Sequence, residues 1–418
     1  MSMALLFFVC AITPAYFLSG ASWQNVILCL LSIALAVSFL PHETSVFLFC
    51  APILYAFGHV IVRKPATAWV VTLCVVLAGL LIIVREHTLV LRSVISFFVL
   101  NSVAFLRLVA QRKEVPPLVE GGLYLIYFPK MICGPYEQAE SFLSSLRQTR
   151  SFSLLTTGRG LLLILLGIVE RYVLAGNLSG IRTSIVGSMA VLSLADLFIL
   201  GALFGFELFF IISAFTNWAK GVSMIFGIPL GSNFQFPFVS RSLSDFWRRW
   251  HVSVHTWMKE QVYLPLRGTS MSFFPCILAT FVVSGVWHGS SLGFLVWGVV
   301  AALLTFAERR VGLAGFRGYV GIPFVFIITS ALWVLFLIED TSLPVSASIQ
   351  LTGSIAAVYP KLIVVALAAF VATLLCDLHT ETVEKGSLLF TSPLALIDVV
   401  LLVIALPGRV TLNSIYGF

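Results

Sequence analysis

The sequence predicts an all-α polytopic membrane protein with about 11 to 13 membrane-embedded helices. Three observations carry that prediction. Of the 418 residues, 59% are hydrophobic and only 10% charged, with a mean hydropathy of +1.04. A soluble domain carries about 25% charged residues and could not cover itself with so few. The apolar residues also cluster into runs near the roughly 20 residues that a helix needs to cross a bilayer. In lipid, a helix satisfies every backbone N–H and C=O within its own segment, which irregular chain cannot do.

In chain order the apolar runs lie near 4–19, 24–40, 44–62, 67–84, 89–109, 155–176, 184–202, 203–226, 271–287, 290–307, 318–338, 354–376 and 391–407. Neighbouring runs can merge or re-enter, which sets the range of the count. Two stretches are mixed in character, 110–154 and 227–270. The expected division is 1–110 as N-terminal spans, 111–310 as a functional core with re-entrant and amphipathic elements, and 311–418 as C-terminal spans. Met1–Gly20 has no basic stretch before its apolar run, so a cleaved signal peptide is not expected.

The net charge is +7, gathered in loops: Arg63 and Lys64; Arg107, Arg112, Lys113, Arg147, Arg150 and Arg159; Arg241, Arg248, Arg249, Lys259 and Arg267; Arg309, Arg310 and Arg317. Basic loops beside spans face the cytoplasm. Three spans precede Arg63, so the N-terminus is expected outside, and the loop with Arg85 and Arg92 falls outside as well. Short basic loops between lipid-length segments point to the membrane surface and away from nucleic acid as a partner. Seven cysteines are present without a CxxC pair, which gives no zinc ribbon and no disulfide framework. Most lie in apolar runs as small packing residues.

Within 227–270, Ser242 and Asp245 have the spacing of a helix-capping pair. After them Leu243, Phe246, Trp247, Trp250, Val254, Trp257, Met258 and Val262 recur on one helical face. Ser244, Arg248, His251, His255 and Lys259 form the opposite face, and Pro265 is expected to end the helix. Two placements are open for so polar a helix. It can lie at the membrane interface, or be drawn inward with its polar face lining a wet cavity. His251 and His255 have the spacing of a metal pair, but Glu does not follow His251 and no third ligand is evident, so no metal is expected.

His288 is the polar exception in the apolar run 281–298, surrounded by Ser284, Gly285, Gly289, Ser290, Ser291 and Gly293. Small residues allow close approach of backbone or substrate. Imidazole is the side chain suited to proton transfer near neutral pH. The competing reading, a packing histidine at a helix end, loses weight because a second histidine-bearing element lies upstream at His251.

Together these segments resemble the membrane-bound O-acyltransferase family, in its bacterial branch of alginate acetylase and teichoic-acid D-alanyl transfer types. The resemblance runs through Asn233-Phe-Gln-Phe-Pro-Phe-Val-Ser-Arg-Ser-Leu-Ser-Asp-Phe-Trp-Arg-Arg-Trp-His251-Val-Ser, Gly285-Val-Trp-His288-Gly and Phe128-Pro-Lys-Met-Ile-Cys-Gly-Pro135. It covers about residues 120–300. It implies a central tunnel, with His288 as the catalytic histidine and His251 as the second one. Asn233, Trp250, Trp287 and Ser284, in or beside the same blocks, become the candidate substrate-binding residues, while His255 has no counterpart. The chain departs from the alginate type at Ile211 and Asn217, where Asp is common, and at Leu266-Arg-Gly, where Leu-Gly-Gly is usual.

The implied chemistry is acyl transfer, acetyl for the alginate type, from a thioester to a hydroxyl of a cell-envelope or extracellular polysaccharide. D-alanyl transfer from a carrier protein toward teichoic acid is the alternative. No bound cofactor is implied; acyl-CoA or an acyl carrier protein enters as the donor substrate. The setting is the bacterial cytoplasmic (inner) membrane, and the final acceptor calls for an extracytoplasmic acyltransferase partner or a lipid-linked carrier. Cys133 offers a route through an acyl-cysteine, although Lys130 is the only cation near it in sequence. A polysaccharide or lipid transporter is the reading from another class; paired halves, often seen in transporters, are not evident here.

Overall fold

The structure, a computed structural model, describes residues 12–39, 41–85, 89–131, 134–187, 191–289, 291–311, 320–340, 348–350 and 359–385. The chain is an all-α polytopic membrane protein. Seven of the described helices are long and apolar enough to cross a membrane: Ala21–Ser38, Val94–Arg112, Leu154–Val186, Leu194–Ile225, Leu292–Arg310, Gly321–Ile338 and Val365–Val383. Three shorter apolar helices, Phe49–Arg63, Pro65–Val76 and Phe273–His288, accompany them. The expected span 391–407 lies outside the described residues, as does most of 4–19, of which 12–18 are helical.

The expected pair of spans at 184–202 and 203–226 is corrected. Residues Leu194–Ile225 form one helix of 32 residues, roughly 48 Å at 1.5 Å per residue and so longer than a hydrocarbon core of about 30 Å. Nothing in the run breaks it, since it holds no proline. The run expected at 155–176 continues to Val186 through a π-helical turn at Val169–Ala175. A three-residue parallel pairing of Val191–Ser193 with Ser348–Gln350 is the one strand contact among the described residues.

The described residues pack as two compact units, 12–161 with 218–231, and 162–217 with 232–385. In the first, Arg150 is not the surface cation expected of a basic loop. It is buried, donating through Nε to Gln24 Oε1 (3.0 Å) and through Nη2 to Asn25 Oδ1 (2.7 Å). Gln24 returns a bond to the Arg150 carbonyl (2.6 Å). The Phe128–Pro135 stretch comes after a short helix, Leu118–Ile126, and a break at Tyr127, and opens with a single turn, Phe128–Met131; neither helix is long enough to cross a bilayer. Lys130 is buried there. Its Nζ donates to the Tyr124 carbonyl (3.2 Å) and lies over the rings of Tyr124 and Phe142. Cys133 lies outside the described residues.

In the second unit the stripe 243–262 is not one continuous helix. It is divided into Leu243–Arg249, Val252–Met258, a π-helical turn Lys259–Tyr263 and a last turn, Leu264–Gly268. The break falls at His251, which adopts the left-handed conformation (φ 46°, ψ 54°). Pro265 does not end the helix. The wider π turn before it shifts the hydrogen-bond register, and proline sits at the start of the final turn, where its missing N–H costs least. The chain then turns at Thr269, with Arg267 Nη1 bonded to the Met271 carbonyl (2.6 Å).

The aromatic face of this segment packs against protein. Phe246, Trp247 and Trp250 are buried in the core of the second unit. Trp247 meets Trp297 and Phe281 edge-on, and Trp250 packs on Trp333 at 4.8 Å between ring centroids. Arg248 and Lys259 stay exposed.

The start of the segment is clamped by hydrogen bonds. Ser242 Oγ accepts from the Asp245 N–H (3.0 Å), as the capping spacing predicts. The buried Glu308 carboxylate accepts from Leu243 N–H (2.6 Å) and Ser244 N–H (3.2 Å). Glu308→Ala is expected to lower stability by about 1.5–3 kcal/mol, the range for hydrogen bonds to a charged group, read as a fall in the melting temperature of the detergent-solubilised protein. Wild-type melting in that variant would remove the clamp from the account.

Candidate active site

His288 is the last residue of the helix Phe273–His288, which packs against Leu292–Arg310 across a short turn. The two helices approach closely because Gly285 has no side chain: a Cβ there would strike the Phe294 carbonyl oxygen. Four rings surround the half-buried imidazole: Trp287 (4.6 Å between centroids), Phe336 (4.8 Å), Trp297 (5.8 Å) and Phe294 (6.1 Å). The ring is thus positioned by aromatic packing, and no hydrogen bond to it is formed among the described residues.

His251 reaches the same place from the broken segment. A non-glycine residue in the left-handed region costs about 1–3 kcal/mol and persists only where its surroundings fix it. Here Val252 N–H donates to the Asn233 carbonyl (2.8 Å) and Gln235 N–H to the Arg249 carbonyl (3.1 Å), which tie the break to the loop before it. The turn lifts His251 off the face it would share with His255 and buries it at 7% exposure. Its Nδ1 lies 3.2 Å from Asn233 Oδ1. Its ring meets Trp287 edge-on at 6.2 Å, so one indole touches both imidazoles.

The structure therefore gathers His251, Asn233, Trp287 and His288. Trp250 points instead into the core among Phe209, Phe234, Phe238, Phe246 and Trp333. Ser284, half-buried, lies one helical turn before His288. Among the described residues no group of three or more His, Cys, Asp or Glu side chains is arranged to hold a metal.

Sequence reasoning missed Thr216 and Ser253. Thr216 Oγ1 accepts from Asn233 Nδ2 (2.9 Å), and Ser253 N–H donates to Asn233 Oδ1 (3.4 Å). The available signal was the run of polar residues, Ser213, Thr216, Asn217 and Lys220, recurring at helical spacing within a mainly apolar helix. Asn217 also explains one departure from the alginate pattern. Its Nδ2 donates to Glu170 Oε2 (2.8 Å), and Ser213 donates to Oε1 (2.7 Å). A carboxylate at position 217 would lose this N–H donor and set an oxygen against Glu170 Oε2.

Burial pushes the pKa of His251 down to about 4, and burial together with Lys259 and Arg248 pushes that of His255 down to about 4. Both are therefore neutral at pH 7. An unfolded histidine takes up its proton near pH 6.5. Between that value and about 4 the unfolded chain binds more protons than the folded one, so stability is full above about 6.5 and falls as the pH drops through this window. Melting temperatures measured across it are expected to fall less steeply for His251→Gln than for wild type; equal slopes would contradict the buried neutral ring.

Residues 64–313 match the family model of the membrane-bound O-acyltransferases. The chain is 26% identical to a probable alginate O-acetylase of Pseudomonas fluorescens over 347 residues, 78% of this chain and 69% of that protein. It is 23% identical to a peptidoglycan O-acetyltransferase of Helicobacter pylori over 252 residues, 53% of this chain and 48% of that protein. It is 26% identical to a teichoic acid D-alanyltransferase of Bacillus subtilis over 215 residues, 46% of this chain and 52% of that protein. The chain thus spans about half the length of the last two relatives. With the family model matching well over half of its residues, the chain belongs to the membrane-bound O-acyltransferase family.

Proposed function

We propose that this chain moves an acyl group, acetyl in the first instance, from a thioester donor on the cytoplasmic side of the bacterial inner membrane to a hydroxyl of a cell-envelope polysaccharide. The donor is acyl-CoA or an acyl carrier protein. The observation that carries the reading is the placement of His288 and His251 against the same indole, Trp287, with His288 held by ring contacts and hydrogen-bonded to none of the described residues.

A hydroxyl attacks a thioester only as its proton is removed. His288 takes that proton as the new C–O bond forms. The tetrahedral intermediate collapses with cleavage of the C–S bond, and the imidazolium returns the proton to the departing thiolate. Atoms and charge balance without a metal. His251, whose ring meets the same indole, orients the acceptor. Donor and acceptor reach His288 through a tunnel from opposite faces, with the basic loops attracting the acidic carrier or the CoA phosphates. An extracytoplasmic partner, or a lipid-linked acceptor, completes the modification.

The similarity to a teichoic acid D-alanyltransferase supports a second reading, transfer of a D-alanyl group from its carrier protein. Purified protein in proteoliposomes, given acetyl-CoA, acetyl carrier protein or D-alanyl carrier protein in turn with a polysaccharide acceptor, separates the donors. Thiol release matched by ester formation identifies the one used. Translocation of polymer or lipid with no thiol released from any donor would replace acyl transfer by transport.

A further inference from the structure

We propose that Thr216, acting through Asn233, locks His251 in a single tautomer, with the proton on Nδ1 and the lone pair on Nε2, and is thereby a positioning residue for acyl transfer. The inference rests on the reading above that His251 takes part in transfer.

Thr216 Oγ1 lies 2.7 Å from the Ile212 carbonyl one turn earlier and donates its single proton there. It has only lone pairs left for Asn233 Nδ2 at 2.9 Å, so the NH₂ end of the amide must face Thr216. The oxygen end then faces Ser253 N–H (3.4 Å) and His251 Nδ1 (3.2 Å). A flipped amide would set its NH₂ against the Ser253 N–H, donor against donor, where no solvent relieves the clash. All four groups are buried: Asn233 0%, Thr216 4%, Ser253 6% and His251 7% exposed. An amide oxygen accepts and never donates, so His251 Nδ1 must carry the proton. In the neutral ring, Nε2 then carries the lone pair. That nitrogen can accept a hydrogen bond from a second hydroxyl of the acceptor, leaving the reacting hydroxyl to His288, or steady the protonated His288; an Nε2–H tautomer can do neither.

The lock runs through three segments far apart in sequence: Thr216 on a long apolar helix, Asn233 in the loop after it, and His251 at the helix break. Each residue alone has a structural explanation. The order of donors and acceptors along the chain gives them one function.

Nitrogen-15 NMR of histidine-labelled protein reads the tautomer directly, with His251→Ala used to assign the signal. Wild type is expected to show His251 as Nδ1–H alone. Thr216→Val, which keeps the shape and removes the hydroxyl, is expected to show a mixture of tautomers and a kcat lowered about tenfold or more, the equivalent of one misoriented hydrogen bond in the transition state, with KM unchanged. Thr216→Ser is expected to restore both the single tautomer and most of the rate. An Nε2–H ring in the wild type, or a folded Thr216→Val variant with wild-type tautomer and kcat, overturns the proposal. Full activity of His251→Ala would instead overturn the role given to His251 itself, while the wild-type spectrum would still report the lock.

Discussion

His288→Ala is expected to abolish acyl transfer, by about 10²–10⁴-fold from loss of the general base alone, while the protein still folds into the membrane. The imidazole sits among Trp287, Phe294, Trp297 and Phe336, so alanine also leaves a void in an aromatic cluster. His288→Gln separates the two effects, since it fills more of the space and cannot act as a base at neutral pH. Both variants are expected to be inactive, with the glutamine variant melting closer to wild type. Normal turnover in either one, at wild-type expression, would remove His288 from the chemistry.

The second large effect is a contrast between two histidines four residues apart. His251→Ala is expected to lower turnover by about tenfold to a hundredfold, the cost of one to two well-placed polar contacts in the transition state. His255→Ala is expected to stay near wild type. On a continuous helix the two side chains would share a face. The left-handed turn at His251 separates them: His251 is buried against Asn233 and Trp287, while His255 stays half-buried beside Lys259 and Arg248. Matched steady-state kinetics of the two variants decides the point, and an essential His255 beside a dispensable His251 would reverse it.

Fold class was legible because hydropathy is a property of whole segments, and so few charges in 418 residues leave little choice of solvent. His251 and His288 were legible because each interrupts a patterned segment. What stayed hidden depended on contacts between distant segments or on backbone geometry. The break at His251 leaves no proline or glycine mark, because hydrogen bonds to the Asn233 loop impose it on an ordinary amphipathic pattern. Thr216 looked like any polar residue in a span until Asn233 was placed beside it. Trp250 shares a sequence block with His251 but turns into the core, since neighbouring residues at a helix break point in different directions. Arg150 looked like a loop cation, yet Gln24 and Asn25 were positioned to bury it.

Transfer of an acyl group at His288 between a thioester and a hydroxyl on opposite membrane faces can be followed in oriented proteoliposomes. Acyl-labelled thioester donor is supplied on the cytoplasmic face only, and the hydroxyl acceptor, with any extracytoplasmic partner, on the other face only. Labelled ester is expected on the far side with an equal amount of free thiol on the donor side, both lost in His288→Ala. Full modification of the final acceptor by this protein and donor alone, with acceptor present only on the cytoplasmic face, would contradict transfer between opposite faces.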